Sequence, residues 1–216
     1  YVEKLWGDMK KVNERAMLYK GHMGVPWCTR CGTALSSHEL AQGYKTVIED
    51  SVFVRFHLKT RRAALLVWTT TPWTLPANVA AAVHPDLDYV TVDDKGEKFI
   101  LLASAAEKLF TDLEKLWKEK GSNLAGLEYE PLYPAPGNPY KVVTADFVSQ
   151  DEGTGIVHLA PAFGEDDMRV GKKEGLPTFM TVDDEGKFTD KVPMWRGTFV
   201  KDADPLIVKD LDQKGL

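Results

Sequence analysis

The hydrophobic and polar positions of the chain fall mostly into short alternating runs of strand length, separated by a few stretches at helical spacing. The strongest run is residues 65–71, LLVWTTT, in which Leu65, Val67, Thr69 and Thr71 share one face and Leu66, Trp68 and Thr70 the other. Pro72 and Pro76 each remove a backbone donor and fix φ, so the strand is expected to stop in a stiff Pro-Trp-Thr-Leu-Pro turn. Alternation predicts two strands within 40–58, the clearer at 51–58 with His57 facing outward. Further strands are expected at 79–83, 89–92 and 99–102, the last two around an Asp93-Asp94-Lys95-Gly96 hairpin turn, then at 141–148 and 155–159. The stretch from Thr181 through Asp183-Asp184-Glu185-Gly186 to Phe188 echoes that hairpin.

Helical spacing appears in four places. Val2, Leu5, Trp6, Met9, Val12 and Ala16 predict an amphipathic helix over 2–20 that ends near Gly21. Ser104 and Glu107 read as a capping box for a helix over 104–120 with the stripe Leu109, Phe110, Leu113, Leu116 and Trp117. Residues 165–174 open with Glu165, Asp166 and Asp167 and close with Lys172, Lys173 and Gly175, matching the helix dipole at both ends. Asp204-Pro205 is expected to start the last helix, with Leu206, Ile207 and Leu211 inside. Residues 121–140, rich in Gly, Pro and Tyr, predict a long surface excursion. Many short strands with interspersed helices predict a mainly β, α+β fold: a closed barrel with helical decoration.

Composition narrows the class. The 216 residues, 44% hydrophobic and 27% charged, suit either one large domain or one domain with a small appendage. No apolar run approaches the roughly 18 residues of a membrane span, and no charged leader opens the chain. A net charge of -5 argues against gripping nucleic acid by electrostatics alone. Only Cys28 and Cys31 occur, in WCTRCG, too few and too close for a secreted disulfide framework, which points to a reducing cytoplasm. That spacing supplies two thiolates of a zinc knuckle, but two ligands do not complete a tetrahedron, and His22 and His38 lack the spacing of the other two. A tight Gly-containing turn with two free thiols remains the other reading.

Three polar groupings stand out: Thr69, Thr70 and Thr71 with Asn78, a single His158 on an apolar strand, and Asp167 at a helix start. Taken singly, each has an ordinary explanation: β-propensity, a turn cap, a core histidine, a dipole partner. No Ser-His-Asp order and no Gly-x-Ser-x-Gly elbow is present, so covalent catalysis is disfavoured. Together the set can hydrolyse an ester directly. A carboxylate at a helix N-terminus can hold an α-ammonium, and hydroxyls can position water and a ribose.

The segments LLVWTTTPWTLPAN at 65–78 and GTGIVHLAPAFGEDD at 153–167 resemble the two signatures of the editing domain of isoleucyl-tRNA synthetases, and the similarity covers essentially the whole chain. The resemblance implies a six-stranded barrel that hydrolyses mischarged valyl-tRNA(Ile) without cofactor, and leaves open whether valyl-adenylate is cleaved as well. It implies that Thr69, Thr70, Thr71 and Asn78 line the hydrolytic pocket, that His158 forms the wall excluding isoleucine, and that Asp167 binds the amino group. Trp68 would add an apolar wall. Thr-Thr-Thr-Pro, where valyl and leucyl relatives carry Thr-Thr-Arg-Pro, points to the isoleucyl branch.

Further expectations follow from the same resemblance. The ligands completing zinc at Cys28 and Cys31 would come from the rest of a longer enzyme. Residues 1–39 would connect, 40–200 form the editing barrel, and 201–216 lead back to the remainder of the synthetase. The partners would be the tRNA 3′ end and the rest of that chain, in a monomeric, cytoplasmic protein without membrane contact. Aminoacylation is not expected, since no His-x-Gly-His or Lys-Met-Ser-Lys-Ser motif occurs. Two other readings stay open: a zinc-knuckle RNA-binding module without chemistry, and a deacylase encoded alone.

Overall fold

The computed structural model describes residues 1–110 and 114–216. Along the chain run α1 (Val2–Glu14), β1 (Trp27–Cys28), β2 (Thr33–Ala34), α2 (Ser37–Gly43), β3 (Val52–His57), β4 (Ala64–Thr69) and a 3₁₀ turn (Pro72–Ala77). There follow β5 (Ala80–Val83), β6 (Asp88–Asp94), β7 (Glu97–Leu102), α3 (Ala103–Leu109), β8 (Glu114–Lys120), β9 (Lys141–Thr144), β10 (Ile156–Leu159), α4 (Glu165–Glu174) and α5 (Val200–Gln213). The described strands form a five-stranded sheet, β3-β4-β7-β6-β8, a three-stranded sheet, β10-β5-β9, and the β1-β2 hairpin.

Among the described residues the expected closed six-stranded barrel is not formed. β4 pairs with β7 in parallel only at Ala64↔Phe99 and Leu65↔Ile100, and β10 packs beside β4 without a shared ladder. The sequence supplies the reason. Pro72 and Pro76 cannot donate to a sheet, so β4 ends at Thr69 and the 3₁₀ turn carries the chain from the larger sheet to the smaller. On the other side, residues 127–130 span the two sheets with isolated bonds: Lys59 N–H to Glu128 O at 2.9 Å, Glu130 N–H to His57 O at 2.8 Å, and Val142 N–H to Leu127 O at 2.8 Å.

The core explains why the smaller sheet reads as continuous apolar sequence. Ala81 and Val83 of β5 face the main cluster around Phe56, Leu65, Val67 and Tyr129, while Ala80 and Ala82 face a second cluster with Leu159, Val143 and Val170. A strand covered on both faces has no polar side, and alanines let both layers approach. The 3₁₀ turn is held from a distance. Thr71 gives it no side-chain cap, and the Trp73 N–H donates to Asp204 Oδ1 on α5 at 2.8 Å. Partial burial pushes the Asp204 carboxyl up, while the Trp73 bond pulls it down.

Several expected elements change under tertiary contacts. The helix expected over 104–120 stops at Leu109; its N-cap is Leu102 rather than Ser104, and residues 114–120 are the edge strand β8. Leu113, part of the expected stripe, lies outside the described residues, and Trp117 is exposed. Alternating Lys and Glu suit an edge strand, and Lys118 and Lys120 both reach Asp88 of β6 while Glu119 pairs with Arg61. Residues 37–43 are helical instead of extended because Ser36 and Glu39 form a reciprocal capping box. α1 ends at Glu14, short of Gly21, and α5 begins at Val200, ahead of Asp204, which leaves Leu206 exposed beside buried Ile207 and Leu211. The 121–140 excursion is not purely surface, since it buries Leu124, Tyr129 and Leu132.

Tyr129 carries a bond the core depends on: its hydroxyl donates to Asn78 Oδ1 at 2.7 Å, both residues being buried. Tyr129→Phe keeps the ring but strands that carbonyl oxygen, so urea unfolding is expected to show a loss of about 1–3 kcal/mol.

Candidate functional site

The two long sequence motifs meet where the end of β4, the 3₁₀ turn and β10 come together. Sheet register decides which side chains face inward. His158 lies opposite Ala81, so it shares the face of Ile156 toward the main core. Thr69 continues the inward face of Leu65 and Val67. Trp68 and Thr70 therefore stand on the other face of β4. Trp68 pairs across from Phe53 and packs under Gly153, where an added Cβ would sit 2.8 Å from the indole; Thr70 is exposed.

The inward groups form one hydrogen-bonded row. Thr69 Oγ1 lies 3.3 Å from Thr71 Oγ1 and accepts from the Thr71 N–H at 3.1 Å. Thr71 Oγ1 lies 3.4 Å from Thr74 Oγ1, and Thr74 Oγ1 lies 2.9 Å from His158 Nε2. Thr74 also donates to the Thr71 carbonyl at 2.8 Å, which uses its one hydrogen. Its contact with His158 must then be a donation from Nε2–H. That assigns the tautomer and leaves His158 Nδ1 a bare acceptor, buried without a partner among the described residues. Burial pushes the His158 pKa down to about 4, so the ring is neutral near pH 7. The two bonds longer than 3.2 Å are weak, and the Thr69 and Thr71 hydroxyls can turn toward a ligand.

Asp167 is tied to the backbone just past β10. Its Oδ2 accepts from the Ala160 N–H at 2.8 Å, two residues past His158, and leaves Oδ1 free of any described hydrogen bond. The carboxylate folds back over Gly164, where a Cβ would meet its carboxyl carbon at 2.8 Å, so a larger residue there would have to push the carboxylate aside. Desolvation pushes the Asp167 carboxyl up despite its place in the first turn of α4; the Ala160 bond opposes this. Such a carboxylate gains from a cationic partner. Asn78 is 3% exposed with its amide committed, Nδ2 to the Ala80 carbonyl at 2.8 Å and Oδ1 to Tyr129. It braces the turn's exit.

Sequence reasoning missed Thr74, the hinge of the whole row. The available signal was a lone hydroxyl between Trp73 and Leu75 in a turn bounded by two prolines, a place where a polar group is buried and must find a partner. A cleft of about 680 Å³, walled by Trp73, Phe163 and Met180 and reaching Gly164 and Glu165 at the start of α4, has no residue of the row in its lining and comes to it through Trp73, the chain neighbour of Thr74. Trp73 and Phe163 meet edge to face at 5.0 Å.

Cys28 ends β1 and Cys31 lies in the turn that leads to β2, with the Cys31 N–H 3.4 Å from Cys28 Sγ. That donor holds the Cys28 thiol below its ordinary pKa, while the neighbouring sulfur raises that of Cys31. The two thiols fit half a tetrahedral site. Among the described residues no group of three or more His, Cys, Asp or Glu could hold a metal.

No family model matches the chain. It is 50% identical over 220 residues to an isoleucine–tRNA ligase of Clostridium novyi and 48% identical over 219 residues to one of Clostridium kluyveri. Each match takes in 100% of this chain and 21% of the relative, so the chain spans about a fifth of the length of the curated relatives it matches. Among solved structures, the crystal structure of GlLeuRS-CP1 superposes with a TM-score of 0.59 at 14% identity, over 77% of this chain and 97% of that one, a likeness of fold.

The buried, neutral His158 makes stability depend on pH in one direction. The unfolded ring takes up a proton near pH 6.5 and the folded ring only near 4, so stability contributed above pH 6.5 is lost as pH falls toward 4, by about 3 kcal/mol at most. Asp167, shifted up, works in the opposite sense at lower pH and is present in both proteins compared. Urea midpoints at pH 7.5 and 4.5 are expected to fall further for the parent chain than for His158→Leu.

Proposed function

This chain is a relative, over its full length, of one segment of the isoleucine–tRNA ligases, and from that premise we propose that it is the segment that proofreads, hydrolysing the ester of valyl-tRNA(Ile) by direct attack of water. The observation that supports the reading is the Thr74–His158 bond, which ties the threonine motif to the histidine motif across 84 residues, with Asp167 bonded to the Ala160 N–H two residues past that histidine.

Roles follow from the geometry. The α-ammonium pairs with the free Oδ1 of Asp167, a charge-assisted contact that also keeps the desolvated carboxyl ionised. Thr69 and Thr71, whose hydroxyls meet their neighbours' hydroxyls only at 3.3 and 3.4 Å, orient the attacking water, and the exposed Thr70 is the hydroxyl a terminal ribose can reach. Threonine is too weak a base to take the water's proton alone, so the ribose hydroxyl of the substrate shares that transfer and the protein supplies position and charge. Neutral His158, locked by Thr74, is a rigid wall that admits the valine branch and rejects one methylene more. Asn78 and Trp68 hold the two faces of β4 and its turn in place. The adjoining cleft takes the nucleotide end of the substrate, whether tRNA or adenylate.

A second sieve answers a known limit: one methylene discriminates by only about 1–3 kcal/mol, for which the handling of isoleucine against valine by the isoleucyl enzyme is the standard illustration. Release of amino acid from valyl-tRNA(Ile) is expected to fall by about 100-fold in Asp167→Ala. His158→Ala is expected to open the wall, so that isoleucyl-tRNA(Ile) is cleaved as well. Normal deacylation by the Asp167 variant defeats the ammonium role.

A further inference from the structure

A second groove, of about 590 Å³, lies on the five-stranded sheet and has no part in the row of hydroxyls. Its walls come from the β3-β4 loop with Arg61 and Arg62, from β7 with Lys98, and from the edge strand β8 with Trp117 and Glu119. Arg61 is engaged with Glu119 by two hydrogen bonds. Arg62 and Lys98 are exposed and have no ion-pair partner among the described residues. Asp93, the cross-strand neighbour of Lys98, spends a carboxylate oxygen on the Gly96 N–H at 2.7 Å. Trp117 sits across from Thr91 with its side chain 72% exposed, an unusual position for so large an apolar surface.

In a chain of net charge -5, two unpaired cations beside a bared indole are a local reversal of sign. Cations that neutralise phosphates, together with an aromatic face on which a base can stack, make up the chemistry of single-stranded nucleic-acid grooves. An acidic protein segment needs the cations but has no use for the indole face. We infer that this groove docks an unpaired segment of RNA, with its phosphates on Arg62 and Lys98 and a base on Trp117, outside the hydrolytic site. The inference rests on the reading of the chain as part of an enzyme that acts on tRNA. It adds a contact by which an acidic protein holds its substrate.

The test is fluorescence anisotropy of a labelled, mixed-sequence single-stranded RNA dodecamer against the intact chain, with thermal melts confirming that each variant folds. Arg62→Glu with Lys98→Glu is expected to weaken binding about tenfold or more and to flatten the salt dependence by about 1.4 in log–log slope, two contacts' worth. Trp117→Ala is expected to weaken it about fivefold, with Trp117→Phe largely restored. The same charge change elsewhere, Lys4→Glu with Lys209→Glu, is expected to matter little. Equal loss in that control pair, unchanged affinity in the groove variants, or equal competition by polyglutamate of matched charge overturns the groove. Ester hydrolysis is read separately: a chain that binds RNA through the groove but releases no valine defeats the proofreading reading and leaves the groove standing.

Discussion

Between Thr74 and His158 runs a 2.9 Å hydrogen bond shielded from water, and the seating of the turn that ends β4 against β10 depends on it. β4 and β10 lie side by side without a ladder, so side chains must do what backbone pairing does elsewhere. A buried imidazole and a buried hydroxyl that lost one another would each leave a polar group unsatisfied, at about 1–3 kcal/mol apiece. The same bond fixes the histidine's tautomer, because Thr74 has already given its hydrogen to the Thr71 carbonyl. Architecture and chemistry thus share one contact.

The supports of that contact come from far along the chain. Asp204 on α5 caps the turn that carries Thr74, and the Tyr129–Asn78 pair holds the turn's exit. Gly164 gives the Asp167 carboxylate room to bend back onto the Ala160 N–H. Each support is a polar bond in or near the core, where low dielectric strengthens a satisfied group and penalises a stranded one. The direct attack of water proposed above would draw on such rigidity, since positioning and preset charge are what this row has to offer a water molecule.

The sequence was legible where local rules and tertiary demands agreed. Residues 165–174 formed the expected helix to the residue, because acidic start, basic end and a left-handed Gly175 all favour one answer. The alternation of LLVWTTT correctly split the threonines, which is why Thr69 and Thr71 join the row that Thr74 ties to His158 while Thr70 is exposed. Legibility failed where a segment carried two periods at once. EKLWKEK reads as the end of a helix, yet Asp88 and Arg61 on neighbouring elements select the strand. Barrel closure also failed, since nothing local to β4 says that its ladder with β7 stops after two pairs.

By itself the sequence determined the strand, its stiff proline turn, the helix that carries Asp167 and the polar residues worth watching, for these follow from backbone sterics, side-chain alternation and the helix dipole within a few residues. Only the tertiary structure decided that Thr74 joins the row, that His158 is neutral with a bare Nδ1, that Asn78 is a brace and that Asp204 caps a turn 131 residues away. Those are matters of which polar groups are sealed from water together, and desolvation is set by the packing of distant segments, which no local window of sequence contains.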